Sequence, residues 1–597
     1  MKLSGGEIVV RALQDEGIRF TFGIPGTHNI ELYDALADSA SVRPVLVTDE
    51  QSAGFMADGL WRASGSLGCV NLVPGAGLTH ALSGIAEAFM DGVPMLVLGC
   101  GIRRETRHAY QLHDIDQLAI VKPVTKGVFR PVTGPELYPA IRSACALARA
   151  GTPGPVMVEV SVDLYLTRHD VSPEEWGPPE TPAPPAADPE QVGRAAALLS
   201  APGARPLLYA GLGAQGAIAE LLELAERLEA PVATTIQGKG VFPESHPLFL
   251  WNGLGAAAPP FVRAVTAGRN LTLAIGCRFS EVGTGSYGFT PPGPLIHVDI
   301  NPDVLGRNFP AELGIVSDAR AFLKALLQEL ALPPYRPTVL PSSDLPSEDL
   351  PLQIASGHAE VHRGRASQRS TARVSPALLL DAIHRRFGPE TIFTTDSGNG
   401  TFLAMECLRL DRPGRFLAPV DYSCMGYAVP AALGAKLGAP QAPVVALAGD
   451  GAFLMTGLEL LTAASQGIPI AVIVLRDREL AQIAQFQSTA FGRRMASVLP
   501  DYHAGSIAEA LGVEWLRLDN DSEVDEVVAA AHATIMAGRP VLVDAAVDYS
   551  AKTWFTRGVV KTMLLRLPWP DRLRFVARAV LRQLSSRASP ERSPPSR

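Results

Sequence analysis

Short, uniformly apolar runs alternate with helix-patterned segments along most of this chain. VRPVLV (42–47), CVNLV (69–73), PMLVLG (94–99) and PVMVEV (155–160) are each only five or six residues long and carry almost no polar side chains. Strands read this way when helices cover both faces of a parallel sheet, whereas a half-exposed strand would alternate apolar and polar residues. The same pattern returns in PLLYAG (206–211), PVATT (231–235), LTLAIG (271–276) and LIHVDI (295–300). It returns again in TIFTTD (391–396), PVVALAGD (443–450), PIAVIVL (469–475) and PVLVDA (540–545). The chain is therefore expected to be α/β, with three doubly wound parallel-sheet domains in series.

Breaks in the pattern set the expected boundaries. PPETPAPPAADPE (178–190) reads as a proline-rich linker between a first domain over 1–175 and a middle domain over 190–332. Residues 333–372 are rich in Pro, Ser and charge, lack periodicity, and read as an exposed linker before a third domain over 373–548. The tail, 549–597, differs in charge: from 551 onward it carries eleven Lys and Arg against Asp571 and Glu591. Within it, DRLRFVARAVLRQL (571–584) has the pattern of a basic amphipathic helix. Such a helix either makes weak peripheral contact with an acidic or membrane surface, or packs on its own subunit.

A net charge of −8 disfavours nucleic-acid binding. The six cysteines are scattered with no CxxC pair, which argues against zinc, a redox dithiol or a disulfide framework and fits a reducing cytoplasm. The opening MKLSGGEIVVRALQDEG reads as an amphipathic helix with three acids, not a signal peptide. No apolar run approaches the roughly 18 residues that a membrane span needs.

The third block carries the chemistry. Its strand 443–448 runs into Gly449-Asp450-Gly451-Ala452 and then a helix expected to start near 453. Small residues at a strand end let a ligand approach the backbone, and a helix N-terminus favours an anion. A carboxylate beside a phosphate makes sense with a divalent cation between them, and Mg²⁺ prefers one or two carboxylates plus phosphate oxygens. Strand 469–475 ends at Asp477, 27 residues after Asp450, and a strand–helix–strand unit brings both ends to one sheet edge. Asp477 and the carbonyl of Glu479 can then complete the metal's protein oxygens.

With that spacing, the chain resembles the thiamine-diphosphate (ThDP) enzyme superfamily, whose motif begins with Gly-Asp-Gly and ends near an Asn-Asn pair. The resemblance implies Mg²⁺ on Asp450, Asp477 and the Glu479 carbonyl. This chain departs from the motif by placing Arg476-Asp477 where the asparagines stand, with Arg476 expected to offset the added charge. Over residues 1–548 the chain is most similar to acetolactate synthases and related 2-oxoacid decarboxylases and carboligases. FGIPGTHNIELYDAL (22–36) resembles the first active-site loop. TDEQSAGFMADGLWRASG (48–65) resembles the segment whose essential glutamate falls on Glu50, the group that bonds N1′ of the pyrimidine and favours its imino tautomer.

Further segments imply further roles. In VPGAGLTHALSGIAEAFMDGVPML (73–96), Gly75 stands at a cofactor-contact position and the motif's asparagine becomes His80. Gln111 matches an active-site glutamine, and His28 is either a proton shuttle or a structural hydrogen-bonding histidine. TDSGNG (395–400) places Gly398, Asn399 and Gly400 near the diphosphate. SCMGYAVPAALGAKLG (423–438) gives Ser423 and Met425 to the pyrimidine, with Met425 as the apolar wedge. Thr27, His28, Gln111, Ile483 and Phe486 are the expected substrate pocket. The family assembles its site across two chains, so a homodimer or homotetramer is implied.

Acetolactate synthases usually carry tryptophan at the position of Phe486, and an arginine at the position of Val282 in IGCRFSEVGTG (275–285). YAGLGAQG (209–216) contains GxGxxG, which serves either FAD in the middle domain or close helix–strand packing. The expected reaction is decarboxylation of a 2-oxoacid such as pyruvate and ligation of the remaining unit to a second carbonyl, which is itself a 2-oxoacid or an aldehyde. The alternatives are a non-ligating decarboxylase, a lyase acting on a 2-hydroxyketone or 2-hydroxyacyl thioester, and a catalytically silent cofactor-binding relative.

Overall fold

A computed structural model describes residues 1–104, 106, 108–179, 183–330 and 349–586. Its three main sheets each have six strands, all parallel. In the first domain the spatial order is Arg43–Leu46, Phe20–Gly23, Gly68–Leu72, Met95–Gly101, Pro155–Ser161, Gly127–Phe129. The third domain repeats that order with Phe416–Leu417, Ile392–Thr395, Val444–Gly449, Ala471–Arg476, Val541–Ala546, Glu514–Leu518. Counted along the chain, both sheets read 2-1-3-4-6-5, whereas the middle sheet reads 3-2-1-4-5-6. All three orders reverse direction beside their first strand, and ligands of open α/β sheets sit at such a reversal, outside the carboxyl ends of the strands.

The apolar runs are buried for the reason expected of them. Met95–Gly101 and Pro155–Ser161 are buried at every residue because helices sheathe both faces. The largest core joins the first and third domains, through helices Glu50–Ser64 and Ala428–Gly438. These helices cross backbone to backbone. A Cβ at Gly59 would lie 2.1 Å from the Ala431 carbonyl oxygen, and one at Gly434 would lie 1.9 Å from that of Met56. Only glycine allows so close an approach.

Two segments depart from the sequence expectation, and the tail follows the alternative in which it packs on its own subunit. The N-terminus first forms a strand, Lys2–Ser4, antiparallel to Arg168–Asp170; Ser4 and Glu7 then close a capping box on helix Gly5–Asp15. Residues 331–348 of the expected linker lie outside the described residues, but Leu350–Ala366 form a docked helix where an exposed linker was expected. His358 holds it in place, sitting among the rings of Phe249, Trp251 and Phe261, with Nε2 3.1 Å from the Phe249 carbonyl. Burial pushes the His358 pKa down to about 4, so a neutral imidazole does the work of an apolar anchor. In the tail, helix Trp554–Arg566 lies against 255–257, and Phe555 stacks on Phe402 with ring centroids 3.7 Å apart. The basic segment falls in helix Trp569–Ser586, beside Ala481–Phe491, and residues 587–597 lie outside the described residues. Among the described residues, no helix is long and apolar enough to cross a membrane.

Candidate active site

The Gly-Asp-Gly turn sits at the switch point of the third sheet. Strand Val444–Gly449 pairs with Ala471–Arg476 in a register that sets Gly449 beside Leu475, so 450 and 477 emerge at the same edge. Helix Asp450–Thr456 starts at Asp450, not near 453, because Gly449 already serves as its N-cap. Asp450 is buried and accepts from Gly451 N at 2.9 Å and from Arg478 N at 2.7 Å. Arg478 reaches it from a left-handed backbone (φ 64°), a conformation that costs about 1–3 kcal/mol and persists only where surroundings hold it.

Asp477 lies beside Asp450. Burial first, and the Asp450 charge second, push its pKa up to about 7. Arg476, expected to offset the added charge, makes its ion pair with Asp544 at 2.6 Å, on the strand Val541–Ala546, while its charge still favours ionised Asp450. Arg478 likewise pairs with Asp501, at 3.0 Å. The Glu479 carboxylate is taken up by Arg494. Two carboxylates are thus held together with no cationic side chain ion-paired to Asp477 among the described residues. No group of three or more His, Cys, Asp or Glu side chains forms a metal cage among those residues.

The neighbouring loop completes this half of the site. Gly398 leads into helix Asn399–Cys407 with φ 135°, and a Cβ there, like one at Gly449, would meet open space. Asn399 is buried and its Oδ1 has no partner. Ser397 and Ser423 share a hydrogen bond of 2.8 Å. Ser423 is itself left-handed (φ 64°), and Met425 lies close to Gly451, whose Cβ would be 3.5 Å from the methionine methyl.

Sequence reasoning missed the residues that hold this segment. Asp396, buried and pushed up to about 6 by that burial, accepts from the backbone N–H groups of Gly426, Tyr427 and Ala428 at 2.7, 3.3 and 3.2 Å. From the first domain, Glu87 accepts from Cys424 N at 2.9 Å and Asp91 from Asp421 N at 3.2 Å. Arg62 bridges Asp91 and Asp58, and Asp58 accepts from the Tyr427 hydroxyl. For Asp58, Glu87 and Asp91 a charged residue inside an apolar helical stretch was the available signal, but Tyr427, Cys424 and Asp421, which they hold, lie hundreds of residues away.

In the first domain, Glu50 opens helix Glu50–Ser64 and is 7% exposed. His80 Nδ1 stands 3.3 Å from its Oε2, and a Cβ at Gly77 would be 3.2 Å from its Oε1. Gly75 packs against His113, whose ring lies edge-on to His28 at 5.4 Å. Thr27 bonds the same histidine at 3.2 Å. Gln111 belongs to the His113 turn, where its carbonyl accepts from Asp114 N at 3.3 Å. Thr27, His28, Gly75 and the Gln111 turn therefore share one rim, and the helix that follows Gly75 leads to Glu50. Burial lowers the His28 pKa and keeps the ring neutral. Gln51, next to Glu50, reaches the Met425 carbonyl at 3.4 Å. Ile483 and Phe486 stand on helix Ala481–Phe491, and among the described residues no hydrogen bond or ring contact joins them to that rim.

Three family descriptions match the chain in the order of its sheets. They are the thiamine pyrophosphate enzyme N-terminal TPP binding domain (3–120), the central domain (192–326) and the C-terminal TPP binding domain (396–545). The chain belongs to the thiamine pyrophosphate enzyme family. Its relatives include a probable acetolactate synthase large subunit from Methanocaldococcus jannaschii, 32% identical over 92% of each chain. The acetolactate synthase isozyme 3 large subunit of Escherichia coli is 31% identical over 92% of this chain and 95% of its own. The acetolactate synthase large subunit of Corynebacterium glutamicum is 32% identical over 93% and 88%. This is an acetolactate synthase-like enzyme that forms carbon–carbon bonds with thiamine diphosphate. The Glu50 rim lies inside the N-terminal TPP binding match, and the Asp450–Asp477 pair with the Gly398 loop lies inside the C-terminal one.

Between the first and middle domains lies a cleft of about 890 Å³, at the middle sheet's switch point. Gly211 and Gly213 of the GxGxxG press on the backbone of Gly276, where a Cβ at Gly211 would be 2.1 Å from its carbonyl oxygen. Those glycines thus serve close packing, while the cleft beside them stays open.

Proposed function

We propose that this thiamine pyrophosphate enzyme takes a 2-oxoacid such as pyruvate as donor, releases its carboxylate as CO₂ and joins the remainder to a second carbonyl. The observation that carries the reading is the pair Asp450 and Asp477, held at adjacent strand ends, with Asp477 in no ion pair among the described residues. Beside it stand open space at Gly449 and Gly398 and the orphan Oδ1 of Asn399. A divalent cation bridging to an anionic ligand satisfies all of these at once.

Mg²⁺ would be held by Asp450, Asp477 and the Glu479 carbonyl. Gly449, Gly451, Ala452, Gly398, Asn399 and Gly400 would receive the diphosphate, and Ser423 and Met425 the pyrimidine. When bound, thiamine diphosphate supplies the carbon that accepts the electrons released by decarboxylation. Glu50 would hold a proton at the ring's N1′, a task suited to a carboxyl group in an enclosed place. His28, kept neutral, and Gln111 would hold or pass the proton at the substrate oxygen. Thr27, Ile483 and Phe486 would line the substrate space.

A homodimer or homotetramer is the assembly proposed, as the resemblance to a family that builds its site from two chains implies. Six free cysteines support a cytoplasmic setting. The large cleft suits a dinucleotide such as FAD: its volume is adequate, and Asp299 stands at a strand end on its wall. Glu50→Gln tests the assignment. It should lower turnover at least about a hundredfold while thiamine diphosphate still binds. Unchanged turnover would remove Glu50 from the proposed role.

A further inference from the structure

A cavity of about 220 Å³ opens onto the third domain's cofactor loops, with Ser397, Gly398 and Ser423 in its wall. Its remaining lining is largely hydrocarbon. Val282 comes from the middle domain, Phe402 and Val420 from the third, and Phe555 and Val559 from the C-terminal helix Trp554–Arg566. All five belong to one apolar cluster. Phe555 is itself buried, and its stacking on Phe402 fixes the far wall. Among the described residues, no Lys, Arg or His lines the cavity. Its one charged side chain is acidic, Glu281, the residue before Val282.

This chamber adjoins the proposed substrate space through Gln482, next to Ile483, and it treats the two substrates differently. The donor's carboxylate leaves as CO₂, and poor solvation of that charge favours the loss. An acceptor's carboxylate would stay with no cation to pair it, met only by neutral groups such as those of Ser286, Thr401 and Gln482, and near Glu281. Resting on the reaction proposed above, we infer that the acceptor is a neutral carbonyl compound with an apolar substituent, an aldehyde or ketone and not a second 2-oxoacid. The C-terminal helix, through Phe555 and Val559, is then part of the specificity surface. In the donor, the bond between keto carbon and carboxylate breaks and CO₂ departs. That bond's electron pair forms the new bond to the acceptor's carbonyl carbon, and the acceptor oxygen takes one proton from solvent. The product is an uncharged 2-hydroxyketone.

The test is a competition with the full-length protein, thiamine diphosphate and Mg²⁺. Pyruvate is the donor, with equal concentrations of 2-oxobutyrate and benzaldehyde as acceptors; CO₂ release is followed and products are resolved by mass spectrometry. The neutral acceptor should be incorporated at least tenfold over the 2-oxoacids, pyruvate itself included. Val282→Arg, which places a guanidinium in the cavity wall, should move that ratio at least tenfold toward 2-oxoacid products. CO₂ release with 2-oxoacid ligation dominant in the unaltered protein would overturn the acceptor inference and leave the decarboxylation reading intact. CO₂ with free acetaldehyde alone would overturn it as well. No CO₂ from pyruvate or any other 2-oxoacid in a panel would instead overturn the reaction on which it rests. The unaltered protein decides the matter even if Val282→Arg fails to fold.

Discussion

Arg62→Leu is the sharpest probe of how the two cofactor-binding domains are joined. Arg62 is 8% exposed and lies 2.7 Å from Asp58 Oδ1 and 2.8 Å from Asp91 Oδ2, both fully buried. Removing it leaves two carboxylates with no counter-charge, and breaking a buried pair from one side costs about 3–5 kcal/mol. That is a large part of the roughly 5–15 kcal/mol that holds a typical domain folded. The loss should propagate to the site, because Asp91 carries Asp421 N and Glu87 carries Cys424 N, next to Ser423 and Met425. Urea unfolding followed by tryptophan fluorescence reads the stability, and thiamine diphosphate titration reads the site. Adding Asp58→Asn and Asp91→Asn to Arg62→Leu should recover at least half of the loss, since amides carry no charge to bury. A loss under about 1 kcal/mol, the range of an exposed ion pair, would refute this reasoning, as would a triple variant no better than Arg62→Leu alone.

Glu87 gives a pH signature. Burial first, with Asp91 adding to it, pushes its pKa up to about 9, so the folded protein binds a proton that the unfolded chain has already released. That contribution is whole below the unfolded value near 4.5 and is lost as pH rises through 9. Unfolding free energies at pH 6 and pH 9 should therefore fall more in the unaltered protein than in Glu87→Gln, by on the order of a few kcal/mol; parallel losses would disprove the burial assignment. At the proposed metal pair, Asp450→Asn and Asp477→Asn should separate. Asp477→Asn retains an oxygen and relieves repulsion, so Mg²⁺-dependent thiamine diphosphate binding should weaken less than about tenfold. Asp450→Asn also unsettles the bond to Arg478 N and should weaken binding more, as isothermal titration would show.

The sheets were legible because a strand sheathed on both faces must be apolar at every position, as Val444–Ala448 is. The Asp450–Asp477 pair was legible because one strand–helix–strand unit fixes where both residues emerge. Helix Leu350–Ala366 was not, because only Ile354, Gly357, His358 and Arg365 are buried on it, too few apolar positions to show a face. A histidine used as a core residue carries no periodic signal. The true partner of Arg476 could not be read either: Asp544 is adjacent only once strands Ala471–Arg476 and Val541–Ala546 pair. Asp396 and the Arg62 network share that limit, since their meaning lies in backbone groups that folding brings to them. His80 was noticed only as a departure from a motif, and the structure supplies its neighbour, Glu50.

Where Glu50–Ser64 crosses Ala428–Gly438, Gly59 and Gly434 set main chain directly on main chain, so at those two points there is no layer of side chains to shear. Domains that breathe by sliding need such a lubricating layer. At those points the two helices cannot slide without main chain meeting main chain, so the first and third domains of one chain are held as a fixed unit. The same seam is a mutational choke point: one added methyl on either helix would jack the two halves of the enzyme apart.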